Sequence, residues 1–286
     1  MRVLITGAGG QLGRDLLQLL PGDDAVGLTH RELDIADLDA VTEAVGKHRP
    51  DVVINAAAWT DVDGAETDEA GALAVNRNGP ANFAAACAQH NAALVHISTD
   101  YVFDGSGTEP YAEEAPVAPR SAYGRTKAAG ERAVLDAGGP NYVVRTAWLY
   151  GAGGRNFVRT MAGLARGDKP VNVVDDQRGA PTWTRDLAAG LLELIDTRPP
   201  PGVYHATSSG DTTWFGFAQA IFKEVGADPG RVHPVPTEAF PRPAPRPAYS
   251  VLSANRWVSA GLTPLPHWRD ALTTAISAEG SALVGP

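Results

Sequence analysis

Cysteine is nearly absent from this chain of 286 residues, which contains only Cys87. One cysteine excludes an intrachain disulfide framework, and no Cys/His spacing typical of a zinc site is present. Cys87 lies in NFAAACAQH, a segment typical of a buried helix, so we expect an inert, buried thiol rather than a nucleophile. The cysteine content is that of a cytoplasmic protein, and we predict that location.

Long apolar runs and positive charge are also scarce. No run approaches the roughly 18 residues needed to span a bilayer, and glycines interrupt MRVLITGAGG too early for a signal peptide, so we predict no membrane association. The chain has 33 acidic and 24 basic residues and a net charge of -9, which argues against a nucleic-acid surface but permits a local arginine pocket for a small anion. Only four of the basic residues are lysines: Lys47, Lys127, Lys169 and Lys223.

The first 150 residues alternate short apolar runs with helical stretches. The predicted strands are RVLITGA, DAVGLT, DVVINAAA, ALVHISTDYVF and YVVRTAWLYG. Buried strands separated by helices are typical of a parallel sheet covered on both faces, which binds its ligand at the carboxyl ends of the strands. The predicted fold is therefore α/β, a doubly wound parallel sheet of the Rossmann type, with residues 1–150 as a dinucleotide-binding domain.

After residue 150 the alternation becomes less regular. Residues 151–286 are predicted to form mainly a smaller C-terminal substrate-binding lobe, with segments from about 171–205 returning to the main sheet. The stretch 233–247, HPVPTEAFPRPAPRP, contains six prolines. Because proline lacks the backbone donor of a sheet ladder, we expect an extended surface strap there rather than sheet.

Three glycines follow the first predicted strand directly. Gly7, Gly10 and Gly13 have G-x-x-G-x-x-G spacing and precede an amphipathic helix. Glycines at such a turn let the backbone approach a pyrophosphate, whose charge meets the helix N-terminus. This context predicts dinucleotide binding; the alternative is a glycine-rich turn of purely structural purpose.

The second predicted strand ends in LTHREL, which bears on the choice of cofactor. An acid at this point usually binds the ribose 2′-hydroxyl of NADH, whereas a cation favours the 2′-phosphate of NADPH. The chain offers His30 and Arg31, so we predict a preference for NADPH with NADH also accepted. The alternative for Arg31 is a solvated loop residue. Asp34, in LDIAD, is expected near the adenine.

Polar residues follow the fourth predicted strand in HISTDYVFDG. Ser98, Thr99, Asp100 and Tyr101 lie where open α/β sheets bind their ligands, and a hydroxyl there can bond to a substrate carbonyl. His96, within the apolar run, is expected to be a satisfied core histidine. At the end of the third strand, NAAAW offers small side chains that leave room for a cofactor or for helix packing.

A tyrosine and a lysine lie four residues apart in SAYGRTKAAG, at Tyr123 and Lys127. On a helix these side chains share one face, 24 residues after Thr99. A nearby ammonium, together with the positive nicotinamide of oxidised cofactor, would move the tyrosine pKa from about 10 toward neutrality. The combination with the N-terminal glycines predicts a catalytic pair; the alternative is an exposed Tyr–Lys pair.

These residues resemble the extended short-chain dehydrogenase/reductase family and, within it, the dTDP-4-dehydrorhamnose reductase group. The likeness is carried by TGAGGQLG, PDVVINAAAWTDVDGAE, STDYVFDG, YGRTKAAGE, RTAWLYG, NFVRTM, DQRGAPT and GVYHATSSGDTTW. The resemblance implies a catalytic set of Thr99, Tyr123 and Lys127. It implies cofactor contacts at Gly10, Gln11, Leu12, Asp34, Ile35, Ala58 and Thr60. It implies substrate contacts at Thr99, Asp100 and Trp148.

Two positions depart from the group's usual pattern. Gly64 stands in DVDGAE where a lysine is common, and THR closes the second strand where an acid or small polar residue is frequent. Some members of the group use magnesium for dimerisation; no acidic ligands are assigned here, so no metal is predicted, and a homodimer stays open.

The resemblance leads to a predicted reaction, NAD(P)H-dependent reduction of the C4 ketone of a dTDP-4-keto-6-deoxyhexose. Arg246, in the proline-rich strap, is the expected clamp for the substrate pyrophosphate, with an exposed solubilising arginine as the alternative. Two other functions stay open: a non-catalytic dinucleotide-binding regulatory subunit, and a nucleotide-sugar epimerase or dehydratase. The sequence leaves the exact sugar, its C4 stereochemistry and the base undetermined.

Overall fold

The structure, a computed structural model, describes residues 1–20 and 22–285. The strands in these residues are β1 Val3–Thr6, β2 Ala25–Leu28, β3 Val52–Asn55, β4 Ala93–Thr99, β5 Asn141–Thr146, β6 Leu149–Tyr150, β7 Val171–Val174, β8 Arg178–Gly179, β9 Thr182–Trp183, β10 Gly202–His205, β11 Thr212–Thr213 and β12 Val232–Val235. The α-helices are α1 Gln11–Leu19, α2 Leu38–His48, α3 Gly64–Thr67, α4 Glu69–Leu73, α5 Gly79–His90, α6 Ala122–Asp136, α7 Phe157–Ala165, α8 Thr184–Thr197, α9 Trp214–Glu224, α10 Asn255–Ser259, α11 Trp268–Glu279 and α12 Ser281–Val284. A π-helical segment, Ala74–Asn78, joins α4 to α5.

Six strands form one parallel sheet in the order β10-β5-β4-β3-β1-β2. β1 and β3 are apolar up to their last residues and fully buried, because helices cover both faces of the sheet. One face packs on α1 and α8, and the other on α2, α5 and α6. The predicted doubly wound α/β fold is confirmed.

Alternate side chains of β1 are buried on opposite faces of the sheet. Val3 and Ile5 face the core with α1 and α8, while Leu4 faces the core that contains Cys87 on α5. Cys87 is fully buried and burial raises its thiol pKa to about 12, so the predicted inert thiol is confirmed. None of the helices in residues 1–20 and 22–285 combines the length and apolar character that crossing a bilayer requires.

A second core lies after residue 150 and is built from α7, α9, α11 and α12 with short two-stranded sheets. Two predictions are corrected in this region. β7 pairs with β12 instead of the main sheet, so the return to that sheet begins with α8 at Thr184, later than residue 171. Residues 233–235 are sheet rather than strap, because Pro234 lies in a two-stranded edge pairing where a missing donor is tolerated.

Residues 249–251, which follow the proline-rich strap, are held in place by backbone hydrogen bonds. Tyr249 N–H donates to the Gly105 carbonyl at 3.0 Å, and Ser250 N–H donates to the Arg178 carbonyl at 2.8 Å. Tyr111 N–H donates to the Val251 carbonyl at 2.9 Å. These bonds hold residues 249–251 beside the turn that follows β4.

Candidate active site

The glycine turn after β1 is shaped for close backbone approach. Gly7 has φ of +67°, and a Cβ there would lie 2.7 Å from the Ala56 carbonyl oxygen. A Cβ on Gly13 would collide with the backbone of Gly7. Gly10 caps α1 without a side-chain bond within the described residues, so the first-turn N–H groups of Gln11 and Leu12 remain available to an anion. The turn therefore fits the pyrophosphate of a dinucleotide.

A loop from the second core lies against this turn. Asn156 donates through Nδ2 to Gln11 Oε1 at 3.0 Å and to the Gly151 carbonyl at 2.7 Å. A Cβ on Gly153 would lie 3.0 Å from the Gln11 Cα, so only a small residue allows this approach. The sequence analysis missed Asn156, whose only local signal is its place before an apolar helix.

At the end of β2, His30 and Arg31 are both exposed. Glu32, an acid that the sequence analysis did not weigh, folds back onto Thr29. Its carboxylate accepts bonds of 2.8 Å from the Thr29 backbone N–H and hydroxyl, which lower the pKa of Glu32. The acid next to Arg31 is thus engaged within its own turn.

Two further predicted cofactor residues lie beyond this turn. Asp34 is exposed and accepts from the Ala36 N–H at 3.0 Å, while Ile35 is buried. Asn82 on α5 donates to the Ile35 carbonyl at 3.0 Å. Asp34 and Ile35 therefore lie in one fixed turn between β2 and α2.

Asn76, in the π-helical segment, positions the loop that carries Ala58 and Thr60. Its Oδ1 accepts from Trp59 N–H at 2.9 Å, and its Nδ2 donates to the Trp59 carbonyl at 3.1 Å and to Thr126 Oγ1 at 3.0 Å. Asn76 is 1% exposed. It joins the end of β3 to α6 one residue before Lys127, a role that the sequence analysis missed.

Thr99 and Tyr123 meet at the carboxyl end of β4. Ser121 caps α6 by accepting from Gly124 N–H at 3.1 Å, and Glu66 accepts from Ala122 N–H at 2.8 Å. Gly124 lets the helix approach the Tyr101 carbonyl, where a Cβ would collide. These contacts fix the first turn of α6 and hold Tyr123 against Thr99.

Tyr123 is a protonated phenol in this arrangement. Burial raises its pKa to about 12, with Thr99 opposing the rise and the Asp100 carboxylate adding to it. The sequence analysis expected Lys127 and the cofactor to lower this pKa; among this chain's own groups, burial is the larger influence. A protonated phenol is the form that a proton donor requires.

Asp100 is buried beside these two residues. Thr99 Oγ1 donates to Asp100 Oδ1 at 2.9 Å. Burial raises the pKa of Asp100 to about 6, although the neighbouring hydroxyls of Ser250 and Thr99 oppose the rise. A carboxyl group with this pKa lies at the site predicted to bind substrate.

Lys127 lies behind Tyr123 on the same helix and is 2% exposed. Its Nζ donates to the Ile97 carbonyl at 2.6 Å and lies 3.4 Å from His96 Nε2. Burial lowers the pKa of Lys127 to about 8, which the Glu131 carboxylate partly offsets. Lys127 is therefore buried and Tyr123 is half-buried, so the two do not form the exposed pair that was the alternative.

Trp148 sits between β5 and β6 with φ of +47°, a conformation that favours glycine. Its ring stacks on Trp214 with centroids 3.5 Å apart and planes inclined by 5°. Gly179, in DQRGAPT, lies directly against the Trp148 ring, and a Cβ there would displace it. The indole is thus held by Trp214 and Gly179.

Arg246 is mostly buried against Asp63. Its Nη2 donates to Asp63 Oδ2 at 2.9 Å, and its Nη1 donates to the Ala244 carbonyl at 3.1 Å. Arg246 also lines a small pocket with Arg120 and Tyr101, beside the N-terminus of α6. Its role as a pyrophosphate clamp stays a prediction.

A family model matches residues 1–280, nearly the whole chain, and its description is "RmlD substrate binding domain". The chain belongs to this family.

Several relatives of this chain match it along almost its whole length. The dTDP-4-dehydrorhamnose reductase of Streptomyces griseus is 53% identical over 97% of this chain and 93% of its own length. The dTDP-4-keto-6-deoxy-D-glucose reductase of Streptomyces niveus is 50% identical over 96% of both. The crystal structure of the Bacillus anthracis dTDP-4-dehydrorhamnose reductase in complex with NADP is 39% identical, covers 96% of this chain and 98% of that one, and has a TM-score of 0.93.

Local contacts explain the departure at Gly64 from the pattern that is common in the group. Gly64 begins α3, and its N–H donates to Asp61 Oδ1 at 2.9 Å. A side chain at this position would meet the Asp61 carboxylate. The glycine therefore fits a turn in which the Asp61 carboxylate accepts from the first residue of α3, and Asp63, one residue earlier, pairs with Arg246.

Proposed function

We propose that this protein reduces the C4 ketone of a dTDP-4-keto-6-deoxyhexose with NADPH, and that dTDP-4-dehydrorhamnose is the substrate, giving dTDP-rhamnose. The observation that carries the proposal is the convergence of Thr99, Tyr123 and Lys127 at the carboxyl end of β4, on the sheet edge where the glycine turn follows β1. The names of two relatives, half identical along nearly the full chain, support reduction of such a ketone, and the Streptomyces griseus name supports dTDP-4-dehydrorhamnose as the substrate.

Each group has a defined task in this proposal. Bound NADPH supplies the hydride. Thr99, whose hydroxyl donates to Asp100 in the structure, turns that proton toward the ketone oxygen. Tyr123, protonated at neutral pH, donates its proton to the developing alkoxide. Lys127 stabilises the resulting phenolate and binds ribose hydroxyls, for which a compact ammonium is suited.

The chain's own residues fit the pyrophosphate and the adenosine half of the cofactor. Gly7, Gly10 and Gly13 form the pyrophosphate turn, with Gln11 and Leu12 supplying N–H groups at the start of α1. Arg31 is exposed beside an internally bonded Glu32, which suits a 2′-phosphate better than a 2′-hydroxyl. His30, Asp34, Ile35, Ala58 and Thr60 are proposed to line the remaining cofactor surface.

The nucleotide sugar is proposed to lie between the two cores. Trp148, fixed by Trp214, offers a flat apolar wall to the sugar ring beside Thr99 and Asp100. Arg246 and Arg120 line one pocket nearby, and two guanidinium groups suit a diphosphate. We propose that the protein acts in the cytoplasm; a homodimer stays a prediction that sedimentation analysis can test.

Incubation with dTDP-4-keto-6-deoxyglucose tests the reaction directly. One arm contains a 3,5-epimerase and the other does not, and each receives NADPH or NADH, with products identified by NMR. We expect NADPH oxidation and dTDP-rhamnose in the epimerase arm. Turnover without the epimerase would instead favour reduction of the unepimerised ketone, the activity named for the Streptomyces niveus relative.

The same preparations separate the remaining alternatives. An epimerase or dehydratase returns its hydride, so it would retain tightly bound cofactor and show no net NADPH oxidation. A regulatory subunit would bind the cofactor but would oxidise no NADPH, with or without the epimerase. The proximity of Thr99, Tyr123 and Lys127 favours the reductase, because a subunit without turnover needs no placed proton donor.

A further inference from the structure

A row of buried polar side chains runs behind Lys127, from β1 through β3 and β4 to α6. Thr6 Oγ1 donates to Asn55 Oδ1 at 2.7 Å. Asn55 Nδ2 lies 3.2 Å from His96 Nδ1, and His96 Nε2 lies 3.4 Å from Lys127 Nζ. All four side chains are at most 2% exposed. Water therefore does not relieve a mismatch of donors and acceptors along the row.

The orientation of the Asn55 amide is fixed by a backbone group. Ala57 N–H donates to Asn55 Oδ1 at 3.2 Å, and a backbone N–H cannot accept a hydrogen bond. The amide oxygen therefore faces Ala57 and Thr6, and the amide NH2 faces His96. Nδ1 of His96 must accept from it, so a neutral imidazole carries its proton on Nε2.

The Nε2–H group of His96 points at the Lys127 amine. Burial holds the pKa of His96 well below its usual range, so the imidazole is neutral. A lysine ammonium has only donors, and would place an N–H group opposite the Nε2–H group. An uncharged amine still donates to the Ile97 carbonyl and offers a lone pair to Nε2–H. Donors and acceptors match only when Lys127 is uncharged.

His205 provides an internal comparison, because it also lies buried beside a cation. Its Nδ1 is 3.0 Å from the Ser253 carbonyl oxygen, which can only accept, so Nδ1 carries the proton. Its Nε2 is 3.3 Å from Arg145 Nη1 and accepts from it. A buried histidine in this fold can thus present an acceptor nitrogen to a charged neighbour. His96 presents its Nε2–H donor to Lys127 instead.

We propose that His96 is a positioning residue that keeps Lys127 near deprotonation, so that NADPH binding draws a proton onto the Lys127 amine. The proton comes from solvent and forms one N–H bond at Nζ, and no electrons are transferred. The ammonium then turns from His96 toward the ribose hydroxyls. This proton uptake rests on the proposed function, because it requires the contact between Lys127 and the cofactor. The tautomer of His96 and the ionisation of Lys127 in the cofactor-free protein do not depend on that contact.

The charges around Lys127 are consistent with this assignment. His96 lies on β4 and Asp100 directly after it, Tyr123 and Glu131 lie on α6, and Arg145 lies on β5. The other charged residues of α6 are exposed: Arg125, Arg132 and Asp136. Glu131, the acid on the helix turn after Lys127, pairs with Arg145 at 2.7 Å, and both side chains are 3% exposed. Burial accordingly lowers the pKa of Lys127 to about 8 in spite of Glu131.

The tautomer is measured by ¹⁵N NMR of histidine-labelled protein without cofactor, with His96 assigned by its absence in His96→Gln. We expect the Nε2–H tautomer at His96 and the Nδ1–H tautomer at His205 in the same spectrum. An Nδ1–H or doubly protonated His96 at neutral pH would overturn the proposal. This readout needs only the wild-type fold, since the variant serves for assignment.

The ionisation of Lys127 is measured by NMR of ε-¹³C-labelled lysine, which gives only four signals. Lys127, assigned with Lys127→Met, should titrate near pH 8 and the other three near the usual pKa of about 10.4. In His96→Gln the amide oxygen replaces Nε2 and accepts from the ammonium, so the Lys127 pKa should rise by about one unit. In Thr6→Val it should stay unchanged, because Ala57 still orients Asn55. A Lys127 that titrates with the other three, or that is unmoved in His96→Gln, contradicts the proposal.

Calorimetric titration with NADPH at about pH 9, in two buffers of different ionisation enthalpy, measures the proton uptake. A lysine with its pKa about one unit below this pH should take up nearly one proton, and Lys127→Met should take up none. NADPH binding without uptake would overturn the coupling. Failure to bind NADPH at all would reject the proposed function and leave the two NMR results to stand alone.

Discussion

The hydroxyl of Tyr123 stays protonated throughout the physiological range, since burial raises its pKa to about 12. Tyr123→Phe removes this proton donor and leaves the helix intact. Proton transfer by a placed group contributes about 10²–10⁴-fold, so we expect kcat to fall by that factor while the Kd for NADPH is unchanged. Tyr142→Phe is the control, because the Tyr142 hydroxyl donates to the Pro199 carbonyl at 2.8 Å, away from Thr99 and Asp100. Near-normal turnover of Tyr123→Phe would reject the assignment.

Arg31 governs the predicted cofactor preference. A charge-assisted hydrogen bond contributes about 1.5–3 kcal/mol, and solvent exposure reduces this to the lower end, which corresponds to roughly tenfold in favour of NADPH. Arg31→Ala should remove most of the preference by raising the NADPH KM, with NADH kinetics nearly unchanged. Steady-state kinetics with both cofactors decide the matter: equal efficiencies in the wild type would show that Arg31 points to solvent.

At the scale of elements, the distance between α6 and the π-helical segment sets the position of Lys127. A Cβ on Gly130 would collide with the Asn76 carbonyl. Gly130→Ala should therefore lower the free energy of unfolding by about 1–3 kcal/mol, as overpacking does, and reduce kcat through Asn76. Gly163→Ala in α7 is the matched control, because a Cβ there meets nothing within 4 Å. It should raise stability by about 0.4–1 kcal/mol. Chemical denaturation measures both, and equal effects would contradict the packing argument.

The elements predicted from sequence and those missed differ in the range of their contacts. Strand–turn–helix around Gly7 and the helix carrying Tyr123 and Lys127 follow from local periodicity and were predicted. The role of Asn76 was not, because its partners Trp59 and Thr126 lie 17 and 50 residues away. The pairing of β12 with β7 was missed for a similar reason: the prolines hid a strand whose partner is distant.

On the scale of the whole molecule, Arg246 is the predicted link between substrate and fold. Arg246→Ala should raise the nucleotide-sugar KM by at least about tenfold, given about 1.5–3 kcal/mol for a charged hydrogen bond, and leave the NADPH KM unchanged. Asp63→Asn breaks the same ion pair but keeps the guanidinium. If Arg246 binds the diphosphate, Asp63→Asn should not raise the sugar KM. If the pair only ties the strap, both variants should behave alike in kinetics and in thermal unfolding.

Contacts between the two cores could not be predicted from the sequence, because they join residues that lie far apart along the chain. Asn156 reaches Gln11 across 145 residues, and Arg246 reaches Asp63 across 183. The sequence patterns singled out Gln11 and Arg246, but neither of their partners, Asn156 and Asp63. The proposed catalytic set could be predicted because Thr99 ends one strand, and Tyr123 and Lys127 lie on the next helix along the chain.

The stack of Trp148 on Trp214 also makes the site optically distinct. Two indoles 3.5 Å apart couple their electronic transitions, which gives a paired positive and negative band in the far-ultraviolet circular dichroism. Trp214→Phe should abolish this couplet, whereas Trp268→Phe should keep it, because Trp268 contacts Phe217 instead of another indole. A sugar ring settling on Trp148 would perturb the coupled pair. If the sugar ring stacks on Trp148 as proposed, this pair is an intrinsic, label-free reporter of substrate binding, readable before any turnover takes place.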